Sequence, residues 1–143
     1  MKKNKSIILT LIFVLVFMGC NSNKINYYTA LSETVLNSMD EDMALYDMIV
    51  FIPGSGCTGC ITNAEHYFKK NLTNERIKFI FTDINSKKLL RMLIGEDNIG
   101  RSNIFIDEDN IFNLKEYDER NYPYVLQIKD GVISGIAMLD EIS

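Results

Sequence analysis

Apolar residues recur through Tyr27–Met43 at Tyr28, Leu31, Val35, Leu36 and Met39, with polar Ser32, Glu33 and Asn37 between them. That spacing predicts an amphipathic helix with one face turned inward. The pattern then changes: Asp47–Ile52 is a nearly continuous apolar run of strand length, stopped by Pro53-Gly54-Ser55-Gly56. A strand buried on both faces reads this way. The helical period returns from Thr58, with Cys60, Ala64, Phe68 and Leu72 four apart and Asn63, Glu65, Lys69 and Lys70 facing outward. Ile77–Thr82 is the next apolar strand, closed by Asp83, and Ser86 is placed to cap a helix carrying Leu89, Leu90, Leu93 and Ile94. Asn103–Ile106 reads as a short strand and Asp107-Glu108-Asp109-Asn110 as its turn. A calcium loop is a poor fit there, because Ile111 and Phe112 fall on the next ligand and glycine positions. Finally, Tyr124–Ile128 and Val132–Ile136 flank Lys129-Asp130-Gly131, a hairpin signal.

Strand, helix, strand, helix is the grammar of a mainly parallel sheet, and the closing hairpin adds antiparallel strands. The expected fold class is therefore α/β with a mixed sheet. The chain contains no internal repeats.

The amino terminus has a different composition. Lys2, Lys3 and Lys5 precede an apolar run, Ile7–Met18, that ends at Gly19-Cys20. The run is shorter than the ~20 residues that span a bilayer, and it matches a signal peptide's apolar core better. Phe17-Met18-Gly19-Cys20 resembles a bacterial lipobox, which implies cleavage before Cys20 and a lipid on its sulfur. Residues 1–19 are thus expected to be a lipoprotein signal, 20–26 a polar tether, and 27–143 the folded domain. Loss of the signal takes the net charge from −4 to −7, with 12 basic residues against 19 acidic. This argues against nucleic acid as a partner. Membrane contact is expected only through the lipid on Cys20, at the extracytoplasmic or periplasmic side of a bacterial envelope.

With Cys20 lipidated, Cys57-Thr58-Gly59-Cys60 holds the remaining two of three cysteines. Its position between a buried strand and a helix sets the first sulfur beside unpaired backbone N–H groups and the positive end of the helix dipole. Thiolate is favoured there. Cys57 is therefore the expected nucleophile, and Cys60, less than a turn away, the resolving thiol. A structural disulfide is an alternative, although so short a loop removes little entropy from the unfolded chain. Zinc would need two further ligands, and only His66 and Cys20 are on offer.

The order of helix, strand, Cys-x-x-Cys helix, strand, helix, then Tyr122-Pro123 before a β-hairpin resembles the thioredoxin superfamily, over roughly Tyr27–Met138. The resemblance implies a three-layer fold with helices on both faces of a central mixed sheet. It also implies that Pro123 is cis opposite the thiol pair and that Tyr122 and Pro123 contact an incoming peptide. The family's C-terminal helix is expected to be missing, since the residues after Met138, Leu139–Ser143, are too few to form it. Gly56 replaces the family's Trp, and Phe51 replaces a buried Asp that deprotonates the resolving thiol. A carboxylate such as Asp83, or water, is expected in that role.

The implied activity is thiol-disulfide exchange by a membrane-anchored oxidoreductase, as reductase or isomerase, without a cofactor. Its expected partners are disulfide-containing exported proteins or a redox partner protein, and the chain is expected to be a monomer. The competing reading is a binding lipoprotein in which Cys57 and Cys60 form only a structural bridge. A weaker one is a metal carrier that joins the pair to His66. Tyr117, Tyr122 and Tyr124 are expected either as a substrate platform or as core packing.

Overall fold

A computed structural model describes residues 22–39, 42–113 and 123–142, with side chains from Tyr27 onward. Helix α1 spans Ser22–Ser38, and strand β1, Met48–Pro53, leads into helix α2, Thr58–Asn71. Strand β2, Ile77–Thr82, helix α3, Lys87–Ile94, and strand β3, Ile104–Ile106, follow. Strands β4, Tyr124–Lys129, and β5, Val132–Met138, form the hairpin, and a 3-10 turn, Leu139–Glu141, closes the described chain.

The five strands form one mixed sheet in the order β3-β2-β1-β4-β5. Strand β1 is central: it is parallel to β2, with Met48 opposite Ile77, and antiparallel to β4, with Phe51 opposite Tyr124. Strand β3 extends the parallel part beyond β2. Because side chains alternate across a strand, the apolar runs supply two cores. On one face Ile49, Phe51, Ile80, Tyr124 and Leu126 pack with Leu31 and Val35 of α1 and with Phe112. On the other, Val50, Ile52, Phe79, Phe81 and Val125 pack with Ala64 and Phe68 of α2, Ile94 of α3 and Leu139. The expected α/β class, with helices on both faces, is what the chain adopts.

Local chemistry accounts for most boundaries. Ser86 accepts a hydrogen bond from Leu89 N and caps α3, as its position predicts. Asp130 and Gly131 both have positive φ, 54° and 75°, the requirement of the two-residue turn whose twist matches a hairpin. Lys78 is the exception in an apolar strand, buried with its ammonium bonded to Ser102 O at 2.6 Å.

Several expectations are corrected. Helix α1 begins at Ser22, within the segment read as a tether, and stops at Ser38 rather than Met43. Asp42 accepts from Ala44 N and starts a separate 3-10 turn, Met43–Leu45, a local bond that competes with continuing the helix. Leu36, read as inward, is exposed, and so is Leu89 of α3. Each lies one position off the buried stripe of its helix, Leu31 and Val35 in one case and Leu90, Leu93 and Ile94 in the other. The signal segment, the lipobox with Cys20, and Tyr117 and Tyr122 lie outside the described residues. No helix among the described residues is long and apolar enough to cross a membrane.

Candidate active site at the Cys57–Cys60 pair

The three parallel strands deliver their C-terminal loops to one end of the sheet, and those loops fix the approach to Cys57. Gly54 follows β1 and hydrogen-bonds Thr82 O through its N–H at 2.8 Å. A Cβ on Gly54 would lie 2.4 Å from Asp83 O, so only glycine fits this crossing. Ser55 donates to Asp83 Oδ2, Asn113 donates to Oδ1 at 3.2 Å, and Asp83 N donates to Asn110 Oδ1 at 3.1 Å. Asn85 adds a bond to Gly54 O at 2.9 Å. Asp83 holds this network in a left-handed conformation, φ 51°, that acidic residues tolerate better than most.

Cys57 then takes the N-cap position of α2 in an extended conformation, φ −62° and ψ 112°, with its carbonyl accepting from Ile61 N at 3.0 Å. A neutral thiol is a weak acceptor, and Cys57 makes no capping hydrogen bond in that form. As a thiolate it is better served. The Cys60 thiol donates to it, and the backbone N–H groups of Cys60 and Gly59 add to this, which holds Cys57 below the ordinary thiol range.

The same contacts act oppositely on Cys60. Its proton is held by the Cys57 sulfur, and burial and the neighbouring negative charge add to this, so its pKa is pushed up to about 11. Cys57 is exposed and Cys60 half-buried. Cys57 is thus the more accessible thiol and the one whose ionisation is favoured, while Cys60 keeps its proton to a higher pH.

Pro123 is buried at the entry to β4, and the pairing of Tyr124 with Phe51 places it at the sheet end where β1 feeds Cys57. Its carbonyl accepts from Leu139 N at 3.0 Å. Tyr122, and with it the Tyr122–Pro123 bond, lies outside the described residues. Tyr124 belongs to the core, its ring 4.6 Å from that of Tyr27. His66 is exposed and lies six residues beyond Cys60, about 9 Å along the helix axis. That separation takes it away from the thiols. Among the described residues no three His, Cys, Asp or Glu side chains converge as metal ligands.

Asp83, expected as a proton acceptor, accepts hydrogen bonds from Ser55 and Asn113 in the loops beside β1 and β3. The carboxylate whose charge reaches both sulfurs, among the described residues, is Asp140. Sequence reading missed it. The available signal was hairpin arithmetic: Met138 pairs with Tyr124, so the residues after Met138 return to the Cys57 end. Beside the pair, Ile61 and Glu65 of α2 and Ile84, Leu89 and Leu93 line a largely apolar groove of about 160 Å³.

Comparison of the chain with family models, with curated proteins and with solved structures gave no match.

Proposed function

We propose that the chain is a thiol-disulfide oxidoreductase of the thioredoxin superfamily, held at a bacterial cell envelope by lipid on Cys20. The observation that carries this reading is the contrast between the two thiols: Cys57 exposed and held below the ordinary thiol range, Cys60 half-buried and pushed up to about 11. A structural bridge has no use for that division. The central position of β1, its parallel partner β2, the antiparallel hairpin and Pro123 at the thiol end support the family assignment.

In the reducing direction the Cys57 thiolate attacks one sulfur of a partner disulfide, forms a mixed disulfide and expels the other sulfur as thiolate. Cys60 then gives its proton to water and its thiolate attacks the Cys57 sulfur, breaking the bond to the partner, which leaves as a second thiolate and takes up a proton from water. The products are a Cys57–Cys60 disulfide and a dithiol partner, two electrons having passed outward. A dithiol redox protein must return them, so no bound cofactor is needed. The substrates are disulfide-bearing exported proteins. The activity test is reduction of a protein disulfide by the purified chain with a chemical dithiol as electron source. Turnover is expected in the wild type, and no turnover would overturn the proposal.

Anchoring has its own test. Mass spectrometry of protein from a lipoprotein-processing bacterial host should find Cys20 as the amino-terminal residue with lipid attached. Cys20→Ala should release or mislocalise the domain, since the lipid is its expected attachment and the domain's polar surface has no affinity of its own for lipid. An unmodified Cys20 within an intact N-terminal peptide would contradict lipidation.

A further inference from the structure

The 3-10 turn Leu139–Glu141 is built to hold one side chain beside the thiols. Leu139 is buried among Ala64 and Phe68, and its N–H bonds Pro123 O, fixing the turn between α2 and the entry to β4. Glu141 turns back and accepts from Met138 N at 3.0 Å, which closes the turn on itself. Asp140, between them, accepts from Asn63 Nδ2 at 3.3 Å. Asn63 lies three residues after Cys60, on the same face of α2. A carboxylate from the far end of the fold is thus fastened one turn from the resolving thiol.

We propose that Asp140 shifts the redox poise of the Cys57–Cys60 pair toward the disulfide, making the dithiol a stronger electron donor than the same pair without that charge. The inference rests on the oxidoreductase reading and adds a residue that tunes it. A fixed negative charge disfavours a second one nearby, so it penalises the dithiol form, which carries the thiolate, and leaves the uncharged disulfide untouched. Consistent with this, the charge of Asp140 raises both thiols, against the hydrogen bonds that lower Cys57. Of the other titratable groups on these elements, Glu141 accepts from Met138 N, Glu65 lines the groove, Tyr67 donates to Met48 Sδ, and His66, Lys69 and Lys70 are exposed on α2. Asp140 is a positioning and tuning residue, because it acts on the reacting sulfurs through charge alone.

Asp140→Asn removes the charge and keeps the shape. The thiolate absorbance of the intact reduced domain, followed against pH, should show Cys57 ionising more readily by about two- to fivefold in its ionisation constant, the size of one exposed charge interaction. Equilibration with glutathione at pH 8 should move in the same sense, about two- to fivefold toward the dithiol. Asp140→Glu should restore the wild-type values. Asn63→Ala, which frees the carboxylate without removing it, should give a smaller shift of the same sign. In wild type, 1 M salt should mimic Asp140→Asn, since charge interactions there are screened beyond about 3 Å; this reading needs no variant to fold. Titration and equilibrium superimposable on wild type in Asp140→Asn, with wild type insensitive to salt, would overturn the proposal. Thiol ionisation is read without a substrate, so a wild-type protein that reduces no disulfide strikes the oxidoreductase reading, whereas an unmoved titration strikes Asp140.

Discussion

Cys57→Ser is expected to reduce disulfide exchange to background, whereas Cys60→Ser should still attack partner disulfides and then stall as a mixed disulfide. The two outcomes follow from unequal positions. Cys57 is exposed at the start of α2, and its thiolate is favoured by the Cys60 thiol and the N–H groups of Cys60 and Gly59. Cys60 holds its proton to about 11 and serves only once it sits beside the mixed disulfide. Non-reducing gels of the two variants separate these cases: dithiothreitol-sensitive adducts with Cys60→Ser and none with Cys57→Ser. The pH dependence has a definite sign as well. Alkylation of Cys57 in wild type should rise through a midpoint below ~8.5, the value of a free cysteine, because its native environment favours the thiolate. Adducts on Cys57→Ser, or equal trapping by both variants, would reverse the assignment of roles.

Phe68→Ala should produce the largest loss of stability of any single truncation on the α2 face. Phe68 is fully buried, and its ring meets those of Phe79 and Phe81 edge-on at 5.0 and 5.1 Å. Truncation removes both aromatic contacts and leaves a void between α2 and β2, which costs about 3 to 5 kcal/mol. A domain of this size is stable by about 5 to 15 kcal/mol, so such a loss endangers folding at growth temperature. Since α2 carries the thiols and Asn63, loosening it should also blunt the difference between Cys57 and Cys60. Denaturant unfolding measures the effect, with Phe68→Leu as a milder control. A loss below about 1 kcal/mol would show that α2 is not anchored through Phe68.

Much of the sheet is legible in the sequence because its signals are local. Asp130-Gly131 dictates the hairpin turn, Ser86 marks the start of α3, and the apolar runs at 48–53 and 77–82 have no other stable use than buried strands. The placement of Cys57 and Cys60 at the start of α2 is legible for the same reason, since the spacing and the helix start are both written locally. What was not legible depends on register between distant segments. Asp83 looks like a free acid in sequence, yet Ser55 and Asn113, 28 and 30 residues away, occupy its oxygens. Asp140 looks like a tail residue, yet the pairing of β5 with β4 carries it back to α2. The exposure of Leu36 and Leu89 has a similar origin: periodicity gives a stripe, and only packing decides where the stripe ends.

The reduction potential of the Cys57–Cys60 pair, obtained by equilibrating the purified domain with glutathione redox buffers, bears most directly on the proposed activity. Working exchange proteins lie between about −120 and −270 mV. The exposed, readily ionised Cys57 predicts a value within that range, and the charge of Asp140 makes it more negative than that of Asp140→Asn. A potential below about −300 mV, where structural disulfides lie, would contradict the account and make the pair a bridge.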